Sequence, residues 1–575
     1  MTARKSRGKS HVPAVPSSRQ EKAHAPAAHG YIPSPAAIRE TIESVAIAFV
    51  LAFLFRTFET EAFVIPTGSM APTLMGRHKD LECPQCGCPY QLSASNEVHP
   101  DGAPRRNRQG GPVHVTAGTC PMCRYTDTNL SKDPSYNGDR ILVGKLIYQF
   151  HEPRRWDVIV FKFPGDGHTD SQTNFIKRLI GLPGETVRIR NGDIWIRRGD
   201  EAGNDFHIER KPADKLPAML QPVFDNRYMP PIANLGWPER WRPQRPDAAQ
   251  GVWSCDDYVT FQTDGTAAGE NWLRYEHRVP SFQQWKSFLK NGEIVAEEVE
   301  PRWITDFMAY DTSQVDDDNP EPPPDSLGRH WVGDLALCCT VDVRGETGEL
   351  IFDLCKGGRR FRCRIDVSTG RATLSVSGDD MMQFRPTATT AVRDPGRHDI
   401  RFSNCDNQML LWVDGRLVSF DSTTAYDEEL GNTQPDESDM KPVGVASVGV
   451  PVEIGGLQVL RDIYYIAVDG GAFNQTHHDV LYRLDRDGNF RVREPFGLQP
   501  YVEFSLETDQ FFVLGDNSAY SKDGRLWGAD NNFVPRELLI GKALFIYWPH
   551  SWDRIPCVNV PFPFFPNFKD MGLVR

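Results

Sequence analysis

A mostly β, multidomain chain carrying one apolar helix near its N-terminus is the architecture this sequence predicts. Three observations lead there. At 575 residues the chain exceeds what one hydrophobic core supports. Short runs of alternating apolar and polar residues, bounded by Gly, Pro and Asp, recur along most of its length, as half-buried strands require. One uninterrupted apolar stretch, 45–55, stands near the start. The 44 Pro and 47 Gly, with 13 Trp and 32 Phe, also favour strands and turns over long helices. A net charge of −13 offers no overall attraction to nucleic acid, so no nucleic-acid partner is expected.

Residues 1–35 are polar, basic and rich in Pro, Ala and Ser, with too little apolar surface to offset the entropy of ordering. A disordered tail is expected there. A helix-compatible run follows over 36–58. Its continuous apolar part is short for a bilayer, but 39–58 is long enough to span if Arg39, Glu40, Glu43 and Arg56 sit at the interfaces. No small-x-small cleavage pattern follows, which favours a retained anchor over a removed signal peptide; a buried amphipathic helix is the other reading. The first 39 residues hold Arg4, Lys5, Arg7, Lys9, Arg19, Lys22 and Arg39 against Glu21 and no other acid. Positive charge stays inside. The expectation is a single-pass protein of the cell (inner or cytoplasmic) membrane, its N-terminus cytoplasmic and the rest of the chain extracytoplasmic.

Beyond the helix, Ile141–Val143, Val158–Phe163, Phe175–Ile180 and Val187–Ile196 read as short strands. Residues 201–252, rich in Pro, Trp and charge, read as a linker or irregular segment. Alternation returns over 253–469: Leu335, Leu337, Cys339, Val341 and Val343 on one face, then Leu350, Phe352 and Leu354, then Ile400, Phe402, Leu411, Val413 and Leu417. Asp414-Gly415 marks a hairpin turn. Strands at this spacing predict a β-sandwich. The acidic stretch 316–325 reads as a loop.

Three segments carry candidate chemistry. In Pro66-Thr67-Gly68-Ser69-Met70-Ala71-Pro72-Thr73-Leu74, prolines and glycine restrict the backbone around a small hydroxyl. A serine hydroxyl attacks only when a nearby base takes its proton. Alone, such a serine is a turn residue. In the strand-like Asn174–Glu185 segment, Phe175, Lys177 and Leu179 share one face. Poor solvation there lowers a lysine's pKa and frees the neutral amine as a base, although a snorkelling lysine has the same pattern. The Leu514–Gly528 segment is dense in polar groups; Asp516, Asp523 and Arg525 suit a buried ion-pair network.

Taken in order, these segments resemble type I signal peptidases. The matching blocks are the anchor, Ser69–Leu74, Gly138-Asp139-Arg140-Ile141-Leu142-Val143, Trp156-Asp157-Val158-Ile159-Val160-Phe161, Lys177-Arg178 running into Gly181-Leu182-Pro183-Gly184, and Gly515-Asp516-Asn517-Ser518. They cover about 36–76, 137–200 and 470–557. The resemblance implies a mostly β, signal-peptidase-type coiled β-sheet catalytic domain with one N-terminal transmembrane helix. It implies a serine endopeptidase that removes signal peptides from exported preproteins, cutting after small residues at −1 and −3 beside the lipid bilayer. Ser69 would be the nucleophile and Lys177 the general base, with Ser521 hydrogen-bonded to the lysine and orienting it. Thr67 and the Ser69 N–H would form the oxyanion hole, and Asp516, Asp523, Arg525 and Arg178 the supporting ion-pair network. No cofactor is expected for catalysis.

The departures from the family lie in two inserts. Residues 77–136 hold Cys83-Pro84-Gln85-Cys86 and Cys120-Pro121-Met122-Cys123, a spacing that fits a four-thiolate structural zinc ribbon. Disulfides remain the alternative, since an exported segment meets oxidising conditions. Cys88 is spare in either case, and Cys255, Cys338, Cys339, Cys355, Cys363, Cys405 and Cys557 declare no connectivity, although Cys355 and Cys363 flank a Gly-Gly hairpin turn across which they would face each other. The 253–469 sandwich, through 398–402 and 412–418, resembles concanavalin-like (laminin-G-type) jelly rolls, which often bind carbohydrate or protein; a sandwich without ligand is the other reading. The expected division is thus 1–35 tail, 36–58 transmembrane helix, 59–76 with 137–200 and 470–575 catalytic domain, 77–136 zinc-ribbon-like insert, 201–252 linker and 253–469 sandwich insert. Two rival readings are a soluble self-cleaving serine–lysine protease of the repressor type and a surface binding protein with a vestigial peptidase core.

Overall fold

The computed structural model describes residues 39, 41–50 and 60–575, except 100–101, 108, 165–172, 200–204, 231–236, 245–251, 293–298, 316–327, 427–433, 469–481, 485–489, 493–500, 529–530 and 556–559. The expected tail over 1–35, the acidic loop and Cys557 lie outside the described residues, as does much of the expected helix over 36–58. Within the N-terminal unit, 1–57, residues 41–50 are helical, with Ile42, Val45, Ile47, Phe49 and Val50 exposed. Among the described residues no helix is long and apolar enough to cross a membrane.

The second unit, 58–575, is built from β-sheets. Its first sheet has eight strands, all antiparallel, in the order Thr60–Val64, Arg140–Gly144, Leu539–Trp548, Val158–Lys162, Asn174–Gly181, Gln510–Leu514 and Val534–Pro535, with Gly572–Leu573 added beside Leu539–Trp548. Strands distant in sequence thus become neighbours. The alternation read in Asn174–Gly181 is physical: Leu179 packs with Ile159, Phe161 and Val513 on one face, and Ile176 with Ile65, Met70 and Val158 on the other.

The run expected as one strand over Val187–Ile196 is two, Glu185–Arg190 and Asp193–Arg198. Asn191-Gly192 turns the chain between them, both residues at positive φ (56° and 87°), which is the two-residue hairpin geometry such a dipeptide favours. Both strands belong to a four-stranded sheet completed by His207–Ile208 and Val502–Ser505.

The large insert is a sandwich of two seven-stranded antiparallel sheets around one core. Leu337, Phe402 and Leu411 enter that core from one sheet and Phe352, Leu354 and Phe361 from the other. Asp414 and Gly415, at φ of 51° and 74°, form the expected turn. The segment 201–252 is not merely a linker. Its Gln221–Asp225 strand pairs with Val452–Arg461, and Trp241–Gln244 pairs with Asn271–Tyr275, so each sheet takes a terminal strand from it. Cys355 and Cys363 do not face each other: in the hairpin Cys355 is opposite Arg360 and Cys363 opposite Phe352, and both thiols are free.

In the smaller insert, His78–Glu82 pairs with Pro89–Ser93 and Val115–Thr119 with Thr126–Asp127. Each Cys-x-x-Cys occupies a turn, closed by Cys83 N–H to Cys88 O (2.9 Å) and Cys120 N–H to Tyr125 O (2.9 Å). The four cysteines pack with Trp237, Trp285 and Phe288 of the later insert, and Trp285 Nε1 donates to Cys123 O at 2.8 Å.

Candidate active site

Ser69 lies in a single 3₁₀ turn, Gly68–Met70, just past the Thr60–Val64 strand. Met70 and Leu74 anchor the turn: both are fully buried among Ile141, Val143, Val158 and Val160. Ala71 N–H to Gly68 O (3.1 Å) and Leu74 N–H to Met70 O (2.9 Å) fix its path. The 514–517 segment holds it from outside. Asn517 N–H donates to Ser69 O at 3.1 Å, and its side-chain amide to Gly68 O at 3.2 Å.

Lys177 meets this turn from the adjacent strand. Its Nζ lies 2.7 Å from Ser69 Oγ and donates to Ile176 O at 2.9 Å. The lysine is 3% exposed and the serine 8%. Burial disfavours the ammonium and brings the Lys177 pKa down to about 8, against the pull of Asp523 and Asp516, with Arg525 adding to the fall. The carboxylates fail to hold the amine charged because each already has a cation. Arg178 grips Asp516 through Nε (2.7 Å) and Nη2 (2.5 Å), and Arg525 grips Asp523 through Nε and Nη2, both at 2.8 Å. The network expected from sequence is therefore two bidentate pairs. Thr73 Oγ1 adds a hydrogen bond to Asp516, and Gly515 N–H donates to Asp523 (2.9 Å).

Two expected residues stand differently. Thr67 is exposed, in extended conformation at the entry to the turn. Ser521 is buried, but its hydroxyl has no hydrogen-bond partner among the described residues, Lys177 included. The amine's second bond goes to the Ile176 carbonyl instead. Ser521 packs on Gly515, where a Cβ would come within 2.1 Å of Ser521 Oγ and 2.4 Å of Ser69 O; only glycine lets the three segments converge.

Sequence reasoning missed a support from the large insert. The 3₁₀ turn Ala309–Thr312 lies beside the Ser69 turn: Asp311 Oδ1 accepts from Asn517 Nδ2 at 2.7 Å, and Tyr310 fills the space a Gly68 side chain would need. Burial raises Asp311 to about 7. Asn517 stood within a recognised block and so had a signal; Asp311 had none. The four cysteines converge as well. All four Sγ lie within 4.8 Å of one another, with Cys83–Cys123 at 3.5 Å and Cys86–Cys120 at 3.6 Å.

Asp523→Ala would leave the Arg525 guanidinium buried without its carboxylate, so a loss of about 3–5 kcal/mol is expected, read as a lowered melting temperature. An unchanged melting temperature would show that the pair does not hold this loop.

The sequence profile of the family described as "Signal peptidase, peptidase S26" matches residues 116–231 and 465–548, a span that includes Lys177, Asp516 and Asp523 and leaves out most of the sandwich between its two parts. A probable signal peptidase I-1 of Synechocystis sp. is 30% identical over 207 residues, covering 34% of this chain and 73% of that protein. Signal peptidase I of Leptolyngbya laminosa is 29% identical over 188 residues, 32% of this chain and 57% of that one. Among solved structures, the carbohydrate binding module CBM66 from Bacillus subtilis aligns with 38% of this chain and 94% of its own, at 8% identity and a TM-score of 0.21, too low to bear on the insert. The extent and identity of the Synechocystis match, joined to the family profile, show that this chain belongs to the signal peptidase family, peptidase S26, and is a serine endopeptidase.

Proposed function

We propose that this signal peptidase cuts exported preproteins with Ser69 as nucleophile and Lys177 as general base. The observation that carries the reading is the buried 2.7 Å approach of Lys177 Nζ to Ser69 Oγ. A neutral amine takes the Oγ proton as Oγ bonds to the scissile carbonyl carbon, and the carbonyl oxygen becomes an oxyanion. Collapse of this adduct breaks the C–N bond, and the Lys177 ammonium returns its proton to the leaving amine. Lys177 then deprotonates a water, which attacks the acyl-serine ester and releases Ser69. The Ser69 N–H and the Thr67 hydroxyl are the proposed oxyanion donors; one such donor is typically worth about 3–4 kcal/mol. The Arg178–Asp516 and Arg525–Asp523 pairs position both segments. Preproteins with small residues at −1 and −3 are the proposed substrates.

The proposal places the enzyme at the cell membrane, its N-terminus cytoplasmic and the peptidase outside. Support comes from the exposed apolar side chains of 41–50, the apolar sequence that continues through Phe55, and the basic residues before it. For the sandwich, a carbohydrate or protein ligand stays a proposal, which glycan-array binding by the full chain would read.

The cysteine cluster fits structural zinc. With Zn–S near ~2.3 Å, tetrahedral sulfurs stand about 3.8 Å apart, close to the 3.5 and 3.6 Å found, whereas a disulfide needs ~2.05 Å. Cys83, Cys86, Cys120 and Cys123 would hold the ion, which would supplement the small core of Leu92, Ala94, Val115 and Leu130 in this insert. Cobalt added to the reduced protein is expected to give a thiolate-to-cobalt charge-transfer band; absence of the band would contradict the site.

Ser69→Ala and Lys177→Ala are each expected to abolish preprotein cleavage in detergent while the protein stays folded, and retained activity in either would refute the assignment. In the wild type the base is competent only when unprotonated. kcat/KM should therefore rise with pH through an apparent pKa near about 8. A flat profile across that value would exclude Lys177 as the base.

A further inference from the structure

A second group of ligand-type side chains lies behind the nucleophile loop. His78 and Asp80 come from the first strand of the smaller insert, and His550 follows the Leu539–Trp548 strand of the eight-stranded sheet. One ligand atom from each lies within 4.8 Å of the other two. His550 Nε2 pairs directly with Asp80 Oδ2, and His78 Nε2 stands 3.6 Å from Asp80 Oδ1. Both imidazoles are buried.

The orientation of His78 is informative. Its Nδ1 is 2.7 Å from Gly76 O, and a carbonyl only accepts, so Nδ1 carries the proton. In the neutral ring the bare nitrogen is then Nε2, which faces a carboxylate oxygen beyond hydrogen-bond reach. The bare Nε2 and the half-buried Asp80 carboxylate, which also accepts from Gln91 Nε2 at 3.2 Å, present lone pairs to one space that a cation would satisfy. An imidazole whose far nitrogen is fixed by a backbone carbonyl is also the usual arrangement for a metal-ligating histidine. Asp139 and Asp570 add negative field at His550, and the Tyr136 ring, 4.7 Å from that of His550, forms one wall.

We propose that His78 Nε2, Asp80 and His550 Nε2 form a second metal site, separate from the four cysteines and from the Ser69–Lys177 pair. Two imidazole nitrogens and one carboxylate select a borderline divalent ion of the zinc class over calcium or magnesium, which prefer all-oxygen shells. A bound ion would fasten the smaller insert to the end of the Leu539–Trp548 strand. It would also brace the nucleophile segment, because Arg77, next to His78, donates its N–H to Pro66 O at 3.3 Å, one residue before Thr67.

The test is cobalt and zinc titration of the reduced full-length chain beside His550→Ala and the near-isosteric Asp80→Asn. Wild type is expected to bind one more equivalent than either variant, the extra cobalt showing d–d absorption without a thiolate charge-transfer band. Zinc should also raise the melting temperature of wild type more than that of the variants. Equal stoichiometry in all three proteins, or an extra equivalent that carries the thiolate band, would overturn the proposal. The difference between proteins is read whether or not the cysteines bind metal, so failure of the ribbon reading stays distinguishable. Asp80→Asn keeps side-chain volume and decides the matter if His550→Ala does not fold.

Discussion

The site depends on keeping one lysine amine out of water beside a hydroxyl. An ammonium at the Lys177 position loses its hydration and gains no carboxylate of its own, so its pKa falls from 10.5 to about 8 and the neutral amine becomes accessible near neutral pH. That outcome requires the nearby acids to be engaged already. Asp516 is closed by Arg178 and Thr73, Asp523 by Arg525 and the Gly515 N–H. Were either carboxylate released towards Lys177, Coulomb attraction would raise its pKa again and remove the proposed base. The arginine pairs therefore set the protonation state of the site as well as its shape.

The inserts are joined to this arrangement. The 309–315 segment of the large insert touches three parts of the molecule within seven residues. Tyr310 packs on Gly68, Asp311 accepts from Asn517, Thr312 Oγ1 accepts from Thr119 N–H at 2.8 Å, and Gln314 pairs with Ala117. One short stretch thus links the sandwich, the cysteine-bearing insert and the Ser69 turn. Burying polar groups such as Asp311 and Asn517 is tolerable because each finds the other.

Much of this was legible in the sequence, for identifiable reasons. Strands such as Leu335–Val343 declare themselves because one face is buried and the other is not. Ser69 and Lys177 were readable through ordered blocks, although neither pattern is specific alone. What escaped has equally physical causes. Gln221–Asp225 and Trp241–Gln244 carry Pro222 and Pro243 and lack clean alternation, so they read as linker. The split at Asn191-Gly192 was signalled by the dipeptide and masked by apolar residues on both sides. Asp311 lies about 200 residues from its partner Asn517, and no local pattern records such a contact. Ser521 shows the converse: its position matches a motif, yet its hydroxyl makes no hydrogen bond with the described residues.

The Lys177 amine gives up its proton at far lower pH than an ordinary lysine does. A ¹⁵N-resolved NMR titration of lysine side-chain amines, with Lys177→Arg used to assign the resonance, measures this directly. Titration at about 8 is expected, and an amine that stays protonated up to the ordinary lysine value of 10.5 would show that burial does not free it.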